Sequence, residues 1–226
     1  MRDCATTLAS ELLEDELCGL LDLLKQKKMS GNHLEIGTAA GGTLLRMMQC
    51  YENRARPHFV VVDPMNYFPN QYEIVKTNLS RSGIDPHDVE FRITKGYDAF
   101  MRAEDNKEVY DFIFIDGSHK LKYVMQDLCW ARLLRKGGLL CLHDYHVKTK
   151  GVILAADRFL RKYKNYTRVD LINRLLVLRK NDKSATPEVS VGDRVYASVV
   201  SPFVQLRYSM QKRIERSRTI MRRAVD

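Results

Sequence analysis

The sequence predicts an α/β protein in which a mostly parallel, seven-stranded sheet lies between two layers of helices. Five short apolar runs are each followed by a turn signal and a helical stretch, an alternation typical of parallel strands joined by crossover helices. These runs are HLEIG (33–37), HFVVVD (58–63), VEFRIT (89–94), YDFIFID (110–116) and GLLCLHD (138–144). Two further runs, 166–172 and 174–180, are separated by about one polar residue, so we expect an antiparallel hairpin that closes the sheet.

Length and composition limit the class of protein. The 226 residues suit one large α/β domain, which can bury roughly 70% of its unfolded surface without disulfides or a structural metal. Five cysteines with no CxxC pair indicate free thiols in a reducing compartment. The N-terminus has no signal-peptide pattern, and no apolar run approaches the ~20 residues of a membrane span. We therefore expect a cytoplasmic protein without a transmembrane segment.

The chain divides into three segments. An N-terminal helical segment covers 1–30, with leucines at helical spacing over 7–29, and the α/β domain covers 31–180. A polar linker opens the last segment, 181–226, and a basic amphipathic helix is expected from about Pro202. The formal net charge is +9, and residues 205–226 contribute seven basic against two acidic side chains.

The turn after the first strand carries the most informative motif, Glu35-Ile36-Gly37-Thr38-Ala39-Ala40-Gly41. Glycines there let a ligand approach the backbone, and the following helix offers unpaired N–H groups. A dinucleotide site requires glycine where Ala39 stands, and the Glu35 carboxylate would repel a pyrophosphate. A cationic ligand suits this acid better. A tight turn with no ligand is the alternative.

This motif resembles motif I (E/D-x-G-x-x-x-G) of the class I S-adenosyl-L-methionine (SAM)-dependent methyltransferases. The resemblance spans roughly residues 30–160 and implies a three-layer, Rossmann-like methyltransferase fold with SAM as cofactor. It places Asp63, followed by Pro64, at the ribose hydroxyls, where a carboxylate can accept two hydrogen bonds. The remaining cofactor-binding residues that it implies are Glu35, Gly37, Thr38, Ala39, Gly41, Gly42, Thr43, Gly96, Tyr97, Asp98 and Asp116.

A second set of polar residues follows strands four and five. Asp116 and Asp144 end these runs, with His119, His143 and His146 beside them. Because ligands bind at the carboxyl ends of parallel strands, these side chains are expected to meet at one cleft edge. The pattern DGSH…HDY resembles a methyltransferase branch that contains sugar and small-molecule O-methyltransferases.

The resemblance also implies a metal site. In metal-dependent relatives the acids that end strands four and five bind Mg²⁺, which carries over to Asp116 and Asp144. His143 stands where some relatives have a carboxylate, and Tyr145 replaces an amide or acid. Since Mg²⁺ prefers oxygen ligands and imidazole suits Zn²⁺ or Fe²⁺, the identity of a divalent metal on Asp116, His143 and Asp144 stays open.

The expected chemistry is methyl transfer from SAM to a hydroxyl of a sugar or another small molecule. His119 or His143 could remove the acceptor proton, with Asp116 at the same catalytic edge, or a metal could acidify the hydroxyl. The alternatives are an RNA methyltransferase that uses the basic tail and a binding module that lost activity. The tail itself could cover the domain, form a homo-oligomer contact, capture an anionic acceptor or attach to an anionic membrane.

Overall fold

A computed structural model of the chain describes residues 10–27, 29–182, 186–204 and 206. Seven strands form one sheet in the order β3-β2-β1-β4-β5-β7-β6, in which β7 alone is antiparallel to its neighbours. The predicted seven-stranded, mostly parallel sheet is confirmed. The strands are β1 (Asn32–Ile36), β2 (Phe59–Val62), β3 (Val89–Arg92), β4 (Tyr110–Ile115), β5 (Leu134–Leu142), β6 (Tyr166–Ile172) and β7 (Leu175–Lys180).

Helices cover both faces of this sheet, and a final helix follows the closing hairpin. The helices are α1 (Glu14–Lys27), α2 (Gly42–Met48), α3 (Gln71–Arg81), α4 (Gly96–Asp105), α5 (Leu121–Asp127), α6 (Lys150–Lys162) and α7 (191–204). No helix among these described residues is long and apolar enough to cross a membrane.

The period-two alternation of each strand divides the core into two layers. On β1, Leu34 and Ile36 face a cluster formed with α4, α5 and α6. Phe112 and Phe114 of β4 face the opposite cluster, which is formed with α1, α2 and α3. Glu35 lies between Leu34 and Ile36 in sequence, so its side chain belongs to the α1 side of the sheet.

Several element bounds differ from the sequence-based expectations. Helix α1 begins at Glu14 rather than residue 7, and 7–9 lie outside the described residues. Helix α7 begins at 191 rather than near Pro202. The reason is a reciprocal cap, in which the Asp193 amide donates to Ser190 Oγ (3.2 Å) and the Ser190 amide donates to Asp193 Oδ2 (3.0 Å).

Candidate active site

The carboxyl ends of the parallel strands β1, β2, β4 and β5 meet at one edge of the sheet. A cleft of about 290 Å³, open to solvent, lies at the end of β1, and we call it the β1 cleft. Its lining residues are Glu11, Glu35, Gly37, Thr38, Ala39, Gly42, Thr43 and Asp116. The turn that the sequence singled out therefore forms the wall of a cleft and contacts the end of β4.

The backbone of this turn explains its small residues. Gly37 and Gly41 have positive φ angles of 84° and 85°. A Cβ on Gly37 would lie 2.5 Å from the carbonyl oxygen of Asp116, so only glycine lets the turn approach β4 this closely. Ala39 also adopts a positive φ of 44°, a conformation that costs energy in any residue with a side chain.

Glu35 is the unusual group in the β1 cleft. Its side chain is fully buried, and neither carboxylate oxygen has a hydrogen-bond partner among the described residues. Burial, helped by the charges of Asp116 and Asp63, raises the pKa of Glu35 to about 8. The Thr38 hydroxyl is likewise buried without a partner in this part of the structure. Orphaned buried polar atoms that line a cleft indicate a site for a ligand.

Asp63 ends β2 and holds the same turn. Its Oδ2 accepts the amide hydrogen of Thr38 (3.0 Å), and its Oδ1 accepts that of Met65 (2.6 Å). Each carboxylate oxygen retains a lone pair, so these bonds leave capacity for ligand hydroxyls. Pro64 follows as an exposed residue.

Gly96, Tyr97 and Asp98 form the first turn of α4 and are not among the described residues that line the β1 cleft. The indole N–H of Trp130 donates to the Gly96 carbonyl (3.0 Å) and fixes this turn. Asp127 is fully buried against Gly96, and burial raises its pKa to about 7. Asp127 and Trp130 therefore both pack directly against this turn.

The histidine at the end of β5 lies between two carboxylates. His143 Nδ1 is 2.9 Å from Asp116 Oδ1, and His143 Nε2 is 3.1 Å from Glu16 Oε2. Burial alone would lower the pKa of His143, but hydrogen bonds and charge from Asp116, helped by Asp144 and Glu16, raise it to about 9. His143 is therefore an imidazolium at neutral pH, and both of its ring nitrogens donate.

Three more ion pairs extend this contact along the edge. His119 Nε2 lies 2.9 Å from Asp144 Oδ2, and Arg174 contacts both Asp144 (3.6 Å) and Glu16 (3.3 Å). The hydrogen bond to Asp144 raises the pKa of His119 above its ordinary value. The resulting chain of alternating charges, here called the charge network, is His119–Asp144–Arg174–Glu16–His143–Asp116.

Comparison with known proteins decides the family. A family model described as a methyltransferase domain matches residues 34–145, which include the β1 cleft turn and the ends of β4 and β5. Residues 34–145 are a methyltransferase domain of the class I SAM-dependent type. No curated protein matches the sequence.

Solved structures share the fold of this methyltransferase at low sequence identity. An O-methyltransferase from Bacillus cereus, in complex with SAH, is 18% identical over 75% of this chain and 83% of that chain, with a TM-score of 0.58. The O-methyltransferase TomG from Streptomyces achromogenes, in complex with SAM, is 17% identical over 77% of this chain and 82% of its own, with a TM-score of 0.57.

The donor set of this methyltransferase does not fit the expected metal. Asp116, His143 and Asp144 do bring ligand atoms within 4.8 Å of one another. However, a histidine ligand must offer a lone pair, and both ring nitrogens of His143 are engaged by carboxylates. Asp116 and Asp144 are already neutralised by His143, His119 and Arg174. Tyr145 is also committed, because its hydroxyl donates to Asp157 (2.7 Å) on α6.

Sequence reasoning missed the contribution of the N-terminal segment. Glu16 is fully buried, and its Oε1 accepts the backbone amide of Arg174 (3.0 Å). Burial would raise the pKa of Glu16, but two backbone N–H groups and His143 outweigh it and hold the pKa below its ordinary value. A signal was present in the sequence, since Glu16 stands midway between the buried Leu12 and Leu20, four residues from each.

Proposed function

We propose that this methyltransferase transfers a methyl group from SAM to a hydroxyl oxygen of a small molecule, with His119 as the general base. One observation carries the proposal. Asp116 lines the β1 cleft and is also the last member of the charge network, so the cofactor and the base would lie along one continuous edge. The acceptor class, a sugar or another small hydroxyl compound, rests on the DGSH…HDY resemblance.

The β1 cleft fits a cation such as SAM. The orphaned oxygens of Glu35 would accept hydrogen bonds from the ammonium of the amino-acid part, and Gly37 would let that part reach the backbone. Asp63 would use its remaining lone pairs on the ribose hydroxyls. Gly96, Tyr97 and Asp98 would border the adenine. When bound, SAM supplies an electrophilic methyl group on a sulfonium.

His119 is better placed than His143 to remove the acceptor proton. Asp144 binds the Nε2–H of His119 and so leaves the Nδ1 lone pair free of hydrogen bonds to the described residues. The His119 side chain is 49% exposed, which gives an acceptor access to it. As the hydroxyl oxygen bonds to the methyl carbon, its proton passes to His119 Nδ1 and the C–S electron pair returns to sulfur.

His143 has a positioning role in this proposal. His143 forms hydrogen bonds with both Asp116 at the cleft and Glu16 of α1. Arg174 pairs with Asp144 and so adds this acid to the same network. The charge network thus fixes the carboxylate that orients His119. Because Arg174 and His143 pair with the carboxylates and His119 becomes the third cation when it takes the proton, methyl transfer requires no added cation in this scheme.

Calorimetry tests the cofactor assignment. Titration of the protein with SAM, S-adenosylhomocysteine and NAD is expected to give binding of the first two and none of NAD. The reason is that Ala39 replaces a glycine that a pyrophosphate site requires. Binding of NAD without SAM would overturn the proposal.

Methyl-labelled SAM tests the acceptor and the metal. Transfer is expected to sugars or other small hydroxyl compounds, at a rate that EDTA leaves unchanged. Loss of activity in EDTA, with recovery on adding Mg²⁺ or Mn²⁺, would show that the acids bind a metal and would contradict the balanced network. Label in RNA but in no small hydroxyl compound would favour RNA methylation instead.

A further inference from the structure

Helix α7 exposes an apolar stripe on the surface of the protein. Its members lie on one face, at successive steps of four, four, four and three residues. Each is between 58% and 77% exposed: Val191, Val195, Val199, Phe203 and Leu206. Single exposed valines are ordinary, but five large apolar side chains in one line indicate an interaction surface.

The opposite face of α7 attaches the helix to the domain. Ala197 is buried in the core, and Tyr196 and Val200 pack against it. Asp193 accepts from Arg158 (2.6 Å) and from Lys162 (3.0 Å) at the end of α6. The stripe is therefore held outward by a docked helix rather than exposed by an unattached one.

The anchored end of α7 lies away from the active site. Helix α6 begins just after the carboxyl end of β5 and runs toward the opposite edge of the sheet. Arg158 and Lys162 lie in its second half, so the first turn of α7 is anchored away from the β1 cleft.

The charge of the residues that follow the stripe in the sequence indicates which kind of partner binds. Residues 205–226 contain seven basic and two acidic side chains, and Met210, Ile214 and Met221 continue the apolar spacing in the sequence. A second copy of the chain would bring two segments of net charge +5 together, which is unfavourable. Nucleic acid would pair with the basic residues but leave five apolar side chains in water.

An anionic bilayer surface satisfies both features at once. Valine, phenylalanine and leucine side chains enter the boundary between headgroups and acyl chains, while arginine and lysine contact the anionic headgroups. We propose that the α7 stripe and the basic residues that follow it dock this methyltransferase on the surface of an anionic membrane.

Vesicle flotation tests the proposal with the full chain. The protein is expected to float with vesicles of phosphatidylcholine mixed with phosphatidylglycerol, and much less with phosphatidylcholine alone. The combined change Val199→Asp and Phe203→Asp is expected to weaken binding about tenfold or more, since it removes two inserted apolar side chains. Arg213→Glu with Arg216→Glu should weaken binding to the anionic vesicles as well.

A matched control separates the stripe from apolar exposure in general. Val109 and Val169 are 48% and 37% exposed elsewhere on the surface, so Val109→Asp with Val169→Asp also replaces two exposed apolar side chains with aspartate. This control should bind vesicles like the unaltered protein. All variants should keep the thermal unfolding midpoint and the rate of methyl transfer, because none of the changed residues lies at the active site.

Three outcomes overturn the proposal. The first is equal flotation of the Val199→Asp, Phe203→Asp variant and the unaltered protein. The second is a dimer, detected by light scattering, that this variant dissociates while no vesicle binding is seen. The third is binding of a single-stranded RNA oligonucleotide with no binding to anionic vesicles.

Discussion

The two halves of the strand-end edge differ in whether their carboxyl groups are paired with other side chains. At β1, Glu35 is buried with both oxygens unpartnered among the described residues, beside a turn with no side-chain bulk. At β4 and β5, Asp116 and Asp144 lie beside two histidines and an arginine that pair with them. The acid at β1 lacks a partner until a ligand binds, whereas the acids at β4 and β5 are paired within the protein alone.

This difference indicates how binding and chemistry are divided. Leaving a buried acid unsatisfied costs stability, and that cost is recovered only when a cation binds. A network of paired charges instead holds its members in fixed geometry, which a catalytic base requires. Substitutions on either side can therefore test this comparison. One set removes the base and the groups that support it, and the other removes the unpaired acid.

The largest expected effect is on the rate of methyl transfer. His119→Ala should lower kcat by about 10²–10⁴-fold, because it removes the proposed base, with SAM affinity little changed. Since Asp144 raises the pKa of His119, the rate of the unaltered protein should rise with pH through a value above about 6.5. That acid limb should disappear in the variant. The exposed His87→Ala is the control, and a full rate in His119→Ala would exclude this base.

The next effect is on stability. Glu16→Ala should lower the free energy of unfolding by about 3 kcal/mol at neutral pH, because it leaves buried His143 without one partner. Glu14→Ala, an exposed acid in the same turn, should change it by less than about 0.5 kcal/mol. Denaturant titration measures both values.

The pH dependence gives a second measurement on the same pair. The folded pKa of His143, about 9, lies above its unfolded value, so its stabilisation is complete below pH ~6.5 and is lost as pH rises through about 9. Glu16→Ala should reduce that loss. An unchanged pH profile would mean that Glu16 and His143 are not coupled.

The seven strands and their mostly parallel arrangement were predictable because they rest on the alternation of apolar runs with helical stretches. The strand-end acids and histidines were predictable for the same reason, since parallel strands bring their carboxyl ends together. The pairing of those groups was not. His143 was expected as a base or metal ligand, and its imidazolium state depends mainly on Asp116, with smaller contributions from Asp144 and from Glu16, which is 127 residues away in sequence.

Local rules also failed in identifiable places. The first turn of α7 was missed because Pro202 suggested a helix start, whereas the Ser190-x-x-Asp193 cap sets it earlier. Helix α1 is shorter at its start than the leucine spacing suggested, and residues 10–13 run instead toward the cleft, where Glu11 lines it. Periodicity alone does not record such tertiary contacts.

On the β1 side, Glu35→Gln should remove part of the pH dependence of the free energy of unfolding. The folded pKa of Glu35, about 8, lies above its unfolded value, so the carboxyl destabilises the fold increasingly as pH rises from about 4.5 to about 8. Between pH ~5 and ~6.5, where His143 contributes little change, the free energy of unfolding of the unaltered protein should fall by about 2 kcal/mol more than that of the variant. Parallel curves would mean that Glu35 is not a strained acid.

The smallest expected effect concerns Asp63, which belongs to the β1 side but is itself satisfied. Its two oxygens accept backbone amides from Thr38 and Met65, so an amide side chain can keep one of these bonds. Asp63→Asn should therefore weaken SAM binding by only about 1 kcal/mol, and Asp63→Ala by up to ~3 kcal/mol, because charge-assisted hydrogen bonds are worth that much. Calorimetry measures both affinities, with Asp85→Ala on a distant turn as the control. Equal SAM affinity in all three variants would assign Asp63 to the turn alone. A graded loss of SAM affinity would instead place Asp63 at the ribose. Its carboxylate would then lie between the unsatisfied and the fully paired halves of the edge.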